Sequence, residues 1–244
     1  KEACFWPCGY NSFYCDVTSL VNEDGKNSTL AVRLENRPQS SRWYPGAGLY
    51  RNVHVVTTEK IDVPVWGTQI TTPYVKDEYA SVCLRTTILK EKKTELTVVT
   101  DIIDADGQVV STKTNKGVIN HGQPFTQNFI VERPKLWSPE TPVLYKAVSK
   151  IYSGDTLLDT YSTRFGIRTI EYIADKGFYL NGKRRKFQGV CNHHDLGPLG
   201  AAINVAALRH QLTLLKEMGC DAIRTSHNMP APELIKACDE MGMM

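Results

Sequence analysis

The sequence has 244 residues, 41% of them hydrophobic and 23% charged, the balance of a folded globular chain rather than a disordered one. Its 29 basic and 26 acidic residues leave a net charge of +3, too even for a nucleic-acid binder recognised by charge. No apolar run reaches the roughly 18 residues of a membrane-spanning helix, and no basic start followed by an apolar core marks a signal peptide.

Residues 1–60 read as strand-like. "TLAVRLEN" (29–36) and "LYRNVHVVTT" (49–58) are strands, with the exposed loop "PQSSRWYPGAG" between them. The piece is too short to close its own core and reads as the tail of a β-domain. Asn27-Ser28-Thr29 matches a glycosylation sequon, a short pattern.

From Ile61 to Phe165 the alternation predicts a β-sandwich of about seven strands. Val82, Leu84, Thr86 and Ile88 share one face, and Leu96, Val98, Thr100 and Ile102 another. Asp106-Gly107 supplies a hairpin turn, and "FTQNFIVE", "LYKAVSKIY" and "TLLDTYSTRF" add further strands.

After Gly177 the pattern changes. Asn181-Gly182 predicts a two-residue hairpin turn, with the basic run Lys183 to Lys186 on a solvated strand. "FQGVCNH" is the next strand. Asn204 caps a helix whose apolar face is Val205, Leu208, Leu212, Leu215 and Met218, stopped by Gly219. "CDAIRTSH" is a strand, and Pro232-Glu233 open a second helix with Leu234, Ile235, Cys238 and Met241 on one face and Gly242 at its end. Strand, helix, strand, helix is the opening of a parallel α/β fold. Two such units close neither a barrel nor a doubly wound sheet, so the chain reads as a fragment at both ends.

The seven cysteines, Cys4, Cys8, Cys15, Cys83, Cys191, Cys220 and Cys238, include no CxxC pair, which excludes a zinc finger or a dithiol redox motif of that kind. They are expected to be mostly small buried residues.

Parallel α/β folds gather their functional groups at the carboxyl ends of the strands. Here His193, His194 and Asp195 end one strand, and Arg224, Ser226, His227 and Asn228 the next. A metal site drawn from His193, His194, Asp195 and His227 is disfavoured because adjacent strand residues point to opposite faces. Ser226 lacks the strained G-x-S-x-G elbow of a nucleophile. Directional donors and acceptors suit sugar hydroxyls, and Trp43 and Tyr44 offer a flat face to a pyranose ring. The bland alternative is a buried polar network capping strand ends.

The succession "GYNSFYCDVTSLV", "RWYPGAGLYRNVHV", "LWSPETPVLY", "FGIRTIE", "GVCNHHDLG" and "AIRTSHN" resembles family-two glycoside hydrolases, the β-galactosidase and β-glucuronidase group. The form "HHDLGPLGAA" is most similar to β-galactosidase-like members. The resemblance implies a multidomain chain. Residues 1–60 would be the C-terminal part of a jelly-roll sugar-binding domain, 61–168 an immunoglobulin-like β-sandwich, and 169–244 the first βα units of a (β/α)8 catalytic barrel. It implies that His193 and His227 bind sugar hydroxyls and that Arg224 sits beside the nucleophile and keeps it ionised. Asp195 and Asn228 would share that pocket, and the loop around Arg42 and Trp43 would reach across to the barrel mouth. Arg42 stands near a position where the family often has aspartate, and Cys191-Asn192 replaces the usual Asn-Arg.

Retaining members need two carboxylates about 5 Å apart, both glutamates on later barrel strands. Asn22-Glu23 lies in a loop, and Glu233, Asp239 and Glu240 fall on a helix, so no catalytic residue is expected in this chain. The expectation is a fragment of a retaining glycoside hydrolase, its parent a β-galactosidase. The alternatives are a β-glucuronidase, another β-glycosidase of the family, or a non-catalytic carbohydrate-binding module. The implied partner is a carbohydrate, with no nucleic acid and no membrane, and the parent is compatible with a homo-oligomer. No metal or cofactor is expected in this chain; a divalent cation near the acid/base, used by some relatives, would take its ligands from later residues. A periplasmic or secreted location is favoured over a cytoplasmic one.

Overall fold

The computed structural model describes residues 1–22, 26–39, 48–90 and 92–244. Alternating apolar residues build seven antiparallel strands: β1 (Thr68–Val75), β2 (Tyr79–Thr87), β3 (Glu95–Ile103), β4 (Val109–Val118), β5 (Pro124–Glu132), β6 (Tyr145–Ser153) and β7 (Thr156–Phe165). They form two sheets, β1-β2-β5 and β4-β3-β6-β7, in the manner of an immunoglobulin-like sandwich. The inward faces predicted for β2 and β3 are the buried ones, from Val82 to Thr86 and from Leu96 to Ile102.

The sandwich core has two apolar parts, one around Leu84, Ile102 and Phe129, the other around Ile88, Val98 and Ile151. On four strands a buried polar residue falls between them: Thr86, Thr100, Gln127 and Ser149. The Thr100 hydroxyl donates to Gln127 Oε1 at 2.7 Å and lies 2.8 Å from the Ser149 hydroxyl. Gln127 Nε2 donates to Asn115 Oδ1 at 3.0 Å. Such a network ties Thr100 to its register partner Ser149, because a slipped strand would leave these groups unpaired in an apolar layer.

The strands predicted over 29–36 and 49–58 do not form. Among the described residues of 1–60 the only regular element is a 3-10 turn at Thr18–Leu20, and Leu30, Val32, Val53 and Val55 are exposed. A strand is completed by hydrogen bonds to a neighbour, and no other described segment supplies one here.

Beyond the sandwich, β8 (Ile170–Ile173), β9 (Gly177–Leu180) and β10 (Lys183–Arg185) form an antiparallel sheet in the order β10-β9-β8. Asn181 and Gly182 both take positive φ, 51° and 72°, as a two-residue hairpin turn demands. The basic run is not wholly solvated: Arg185 pairs with Glu140 at 2.5 Å and with Asp221 at 2.8 Å.

Next come β11 (Gly189–Asn192), helix α1 (Val205–Glu217), β12 (Ala222–Thr225) and helix α2 (Pro232–Met241), with β11 and β12 paired in parallel. Their close approach requires Gly189, since a Cβ there would lie 2.1 Å from the Ala222 carbonyl oxygen. Asn204 caps α1, its side chain accepting from the Ala207 amide at 2.9 Å. Leu208 and Leu212 pack with Leu234, Ala237, Cys238 and Met243. The apolar stripes are narrower than predicted: Val205 (47%), Met218 and Ile235 are exposed, and Ala237 rather than Ile235 faces the core. Met244 donates to the Asp221 carbonyl and accepts from the Ile223 amide, each at 2.8 Å, and so lies parallel beside the start of β12.

Sandwich and parallel unit meet at "LWSPETP". The buried Trp137 donates its indole N–H to the Asp239 carbonyl at 2.8 Å, near the C-terminal end of α2, and Arg168 lies over its ring. Lys216 caps the same helix end through the Met241 and Gly242 carbonyls and also reaches the Pro139 carbonyl. Glu240 is held between Arg164 and Arg209, which pull its carboxyl below its ordinary range. Among the cysteines only Cys238 is buried, which pushes its thiol up to about 12; Cys4 and Cys191 are exposed and the others half-buried. The expectation of mostly buried thiols therefore fails, because four of them lie outside the packed strands and helices.

Candidate functional site

The two faces of β11 and β12 have different neighbours. Asn192 Nδ2 donates to Gln211 Oε1 on α1 at 3.0 Å, and Ile223 packs against the helices. By alternation, Cys191 and its register partner Arg224 project from the opposite face, where both are exposed. Arg224 Nη1 lies 3.5 Å from Cys191 Sγ and 3.4 Å from Ser226 Oγ. The guanidinium, with help from the Ser226 hydroxyl, holds the Cys191 thiol below its ordinary pKa. Among the described residues no carboxylate pairs with Arg224.

At the carboxyl ends of these strands the chain extends one further ladder bond, from the Ser226 amide to the Asn192 carbonyl at 2.9 Å. The Ser226–His227 peptide is cis. His193 and His227 meet edge to face, ring centroids 5.9 Å apart. His194 turns the other way, its ring 5.2 Å from that of Tyr10. The divergence expected of neighbouring histidines is therefore present. Burial, then the nearby guanidinium of Arg51, hold His194 below its ordinary pKa.

The remaining sequence candidates separate. Asp195 serves its own loop, Oδ1 accepting from the Gly197 amide at 2.8 Å to cap the turn that follows. Asn228 is exposed beside His227. Arg42 and Trp43 lie outside the described residues. Among the described residues no three His, Cys, Asp or Glu side chains converge on a metal-binding position. The helical carboxylates are engaged elsewhere: Glu233 accepts from Asn52 Nδ2 at 2.5 Å, and burial pushes Asp239 up.

Residues that sequence reasoning passed over hold the strand-end loops in place. The Tyr50 carbonyl accepts from the Ile203 amide at 3.1 Å, in the segment after β11. Arg51 donates from one guanidinium nitrogen to the Tyr10 carbonyl and from the other to the Met229 carbonyl at 2.6 Å, two residues beyond His227. Asn52 then reaches Glu233 at the start of α2. Three successive residues thus pin three separate pieces of the parallel unit. In the sequence they fall within "RWYPGAGLYRNVHV", one of the stretches that carry the family resemblance, and within a predicted strand, neither of which gave them a role.

This geometry supplies hydrogen-bonding imidazoles, an exposed guanidinium and an open face, the equipment for holding a polyhydroxylated or anionic group. Comparison with known proteins gives the arrangement a family. The model described as "Glycosyl hydrolases family 2" matches residues 63–168, and that described as "Glycosyl hydrolases family 2, TIM barrel domain" matches 172–244. Beta-galactosidase BoGH2A of Bacteroides ovatus is 46% identical over 243 residues, 98% of this chain and 28% of that protein. A solved glycosyl hydrolase family 2 member from Bacteroides cellulosilyticus superposes with a TM-score of 0.77 at 33% identity, over 83% of this chain and 27% of that one. The Bacteroides uniformis beta-glucuronidase structure gives 0.70 at 31% identity, over 77% and 24%. The chain spans about a quarter of the length of each of these relatives. With its sandwich and its parallel strands each matched by a model of the same family, the chain belongs to glycosyl hydrolases family 2.

Proposed function

We propose that this chain carries one edge of the sugar pocket of a retaining β-glycoside hydrolase, and that the parent activity is β-galactosidase. The observation that carries the reading is the meeting of His193 and His227 across adjacent strand ends, 5.9 Å apart, with Arg224 exposed on the same pair of strands. Two imidazoles at that spacing can hydrogen-bond neighbouring hydroxyls of one pyranose ring. Their bonds strengthen as charge develops at the anomeric carbon, which is where binding energy accelerates the reaction. Arg224, with no carboxylate among the described residues, is suited to hold an ionised nucleophile supplied from later in the sequence.

The catalytic pair is absent from this site. A retaining mechanism needs two carboxyl groups about 5 Å apart, and on α2 Glu233 accepts from Asn52 while Glu240 is paired with Arg164 and Arg209. Residues 1–60 are the end of a jelly-roll domain whose Tyr50–Asn52 segment steadies the pocket, and Asn228 lines it. Identity to the Bacteroides ovatus β-galactosidase favours galactosides; the Bacteroides uniformis structure keeps a β-glucuronidase as the second reading.

The test has two arms. This chain, folded, is expected to hydrolyse no aryl β-glycoside, and measurable turnover of any of them would overturn the absence of the catalytic pair. In the full-length protein an aryl β-galactoside should be cleaved in preference to the β-glucuronide. His193→Ala and His227→Ala should each lower kcat/KM by about 10²- to 10³-fold, the scale of losing a transition-state hydrogen bond. Preference for the glucuronide would replace the galactoside reading, and unchanged kcat/KM in both variants would remove the histidines from the pocket.

A further inference from the structure

Cys191, Arg224 and Ser226 meet on the open side of β11 and β12. Cys191 is the register partner of Arg224, and Ser226 lies two residues further on, where alternation returns a side chain to the same side. A guanidinium has one N–H on Nε and two on each terminal nitrogen. Nη1 of Arg224 has an acceptor for each of its hydrogens: Cys191 Sγ at 3.5 Å and Ser226 Oγ at 3.4 Å. The Ser226 hydroxyl presents a lone pair because its own hydrogen is directed at the Arg224 main-chain carbonyl, 3.5 Å away. Its place is fixed in turn by burial and by the hydrogen bond from its amide to the Asn192 carbonyl at 2.9 Å. Among the described residues nothing engages Nε or Nη2.

We propose that Cys191 and Ser226 are positioning residues that hold Nη1 of Arg224 and so present its Nε–Nη2 edge to a carboxylate. The inference rests on the sugar-pocket reading above, in which that carboxylate is the ionised nucleophile. Two parallel N–H donors on one rigid edge match the two oxygens of a carboxylate, and they fix its plane as well as its distance. Donors aimed in advance need no rearrangement when the nucleophile attacks.

Arg224 needs such help because its side chain is exposed and has no packed surface to settle its rotamers. Without the thiol and the hydroxyl it is free to swing, and the edge it shows to the pocket is no longer defined. Cys191 and Ser226 therefore act through Arg224 and touch neither sugar nor nucleophile. The thiol pays attention to the same contact from its own side, since the guanidinium favours the thiolate, the form that reacts with alkylating agents.

The contact is tested in this chain by timed alkylation with iodoacetamide, mapped by mass, with the exposed Cys4 as internal reference. Arg224→Gln should slow alkylation of Cys191 several-fold and leave Cys4 unchanged; an unchanged Cys191 rate would overturn the proposal. The consequence is tested in the full-length protein with the aryl β-glycoside it cleaves fastest. Cys191→Ala should lower kcat/KM about tenfold, the scale of one lost hydrogen bond to a charged group, and Cys191→Ser, which keeps an acceptor, should recover most of that loss. In an Arg224→Gln background Cys191→Ala should cost nothing further, because its effect passes through the arginine. A full Cys191→Ala loss in that background, or a Cys191→Ser variant as impaired as Cys191→Ala, would overturn the proposal. An impaired Arg224→Gln beside an unimpaired Cys191→Ala would overturn the proposal alone. Unchanged kcat/KM in Arg224→Gln would remove Arg224 from the pocket, and the proposal would fall with that reading.

Discussion

The sandwich and the parallel unit use their strands in opposite ways. In the sandwich, strands of eight to ten residues bury one face against a second sheet, and of the polar residues between the two apolar parts of the core Thr100, Gln127 and Ser149 are hydrogen-bonded to one another. In the parallel unit, strands of four residues bury one face against helices and leave the other, with Cys191 and Arg224, open. The first arrangement leaves little for a ligand to do. The second presents a row of functional groups whose positions are fixed from behind. Polar groups stay available to a ligand on the open face, because a covered one would have to satisfy them internally, as Thr100 and Gln127 do.

The largest effect that sharpens this contrast is a cavity in the sandwich. Ile102 is fully buried, and Ile102→Ala should lower unfolding stability by about 2–5 kcal/mol, read from the midpoint of urea unfolding. Val205→Ala, on an exposed apolar position of α1, should stay within about 0.5 kcal/mol. Comparable losses at the two positions would mean that the parallel unit is packed as completely as the sandwich.

The same contrast governs what could be read from the sequence. Period-two alternation located the sandwich strands and their inward residues because one face of each is buried by another sheet. The cap at Asn204, the turn at Asn181-Gly182 and the stop at Gly219 are local, and local chemistry is legible. What escaped depends on partners distant in the chain. "TLAVRLEN" alternates well, yet no described segment pairs with it. Ile235 matched the helical period, but the second helix turns Ala237 inward and leaves the larger side chain outside. The Arg51 clasp joins positions separated by 178 residues, and no periodicity reports such a contact. For the site, the pairing of His193 with His227 was legible from strand ends and family resemblance. The side chains that hold those ends were not.

A middle-sized effect tests whether the two regions stand independently. Trp137 belongs to the sandwich side, yet its indole N–H caps a carbonyl of α2. Trp137→Phe keeps a ring in the joint and removes that donor, leaving the Asp239 carbonyl unsatisfied at a cost of about 1–3 kcal/mol. Amide hydrogen exchange should speed up in α2 and around Met243 and Met244, while β2, β3 and β6 keep their protection. Uniform acceleration through the sandwich would show that the regions unfold as one unit and would break the comparison.

The smallest effect is electrostatic and crosses the same joint. Glu140 of "LWSPETP" accepts from both terminal nitrogens of Arg185, whose Nε is bound to Asp221. The guanidinium pulls the Glu140 carboxyl down from its ordinary 4.5 to about 2, so folding favours the ionised form. The stabilisation from this pair is therefore complete above about pH 4.5 and drains away as the pH falls toward 2. Because the Glu140 side chain is 62% exposed, water and salt screen it, and its worth is about 1 kcal/mol or less. Glu140→Gln should be slightly less stable than the parent from pH 7 to pH 5, with the gap closing steadily below about pH 4.5 and narrowing in high salt. A gap that persisted unchanged through the acid range would assign the contribution of Glu140 to packing rather than charge. The joint would then rest on Trp137 and the helix cap alone.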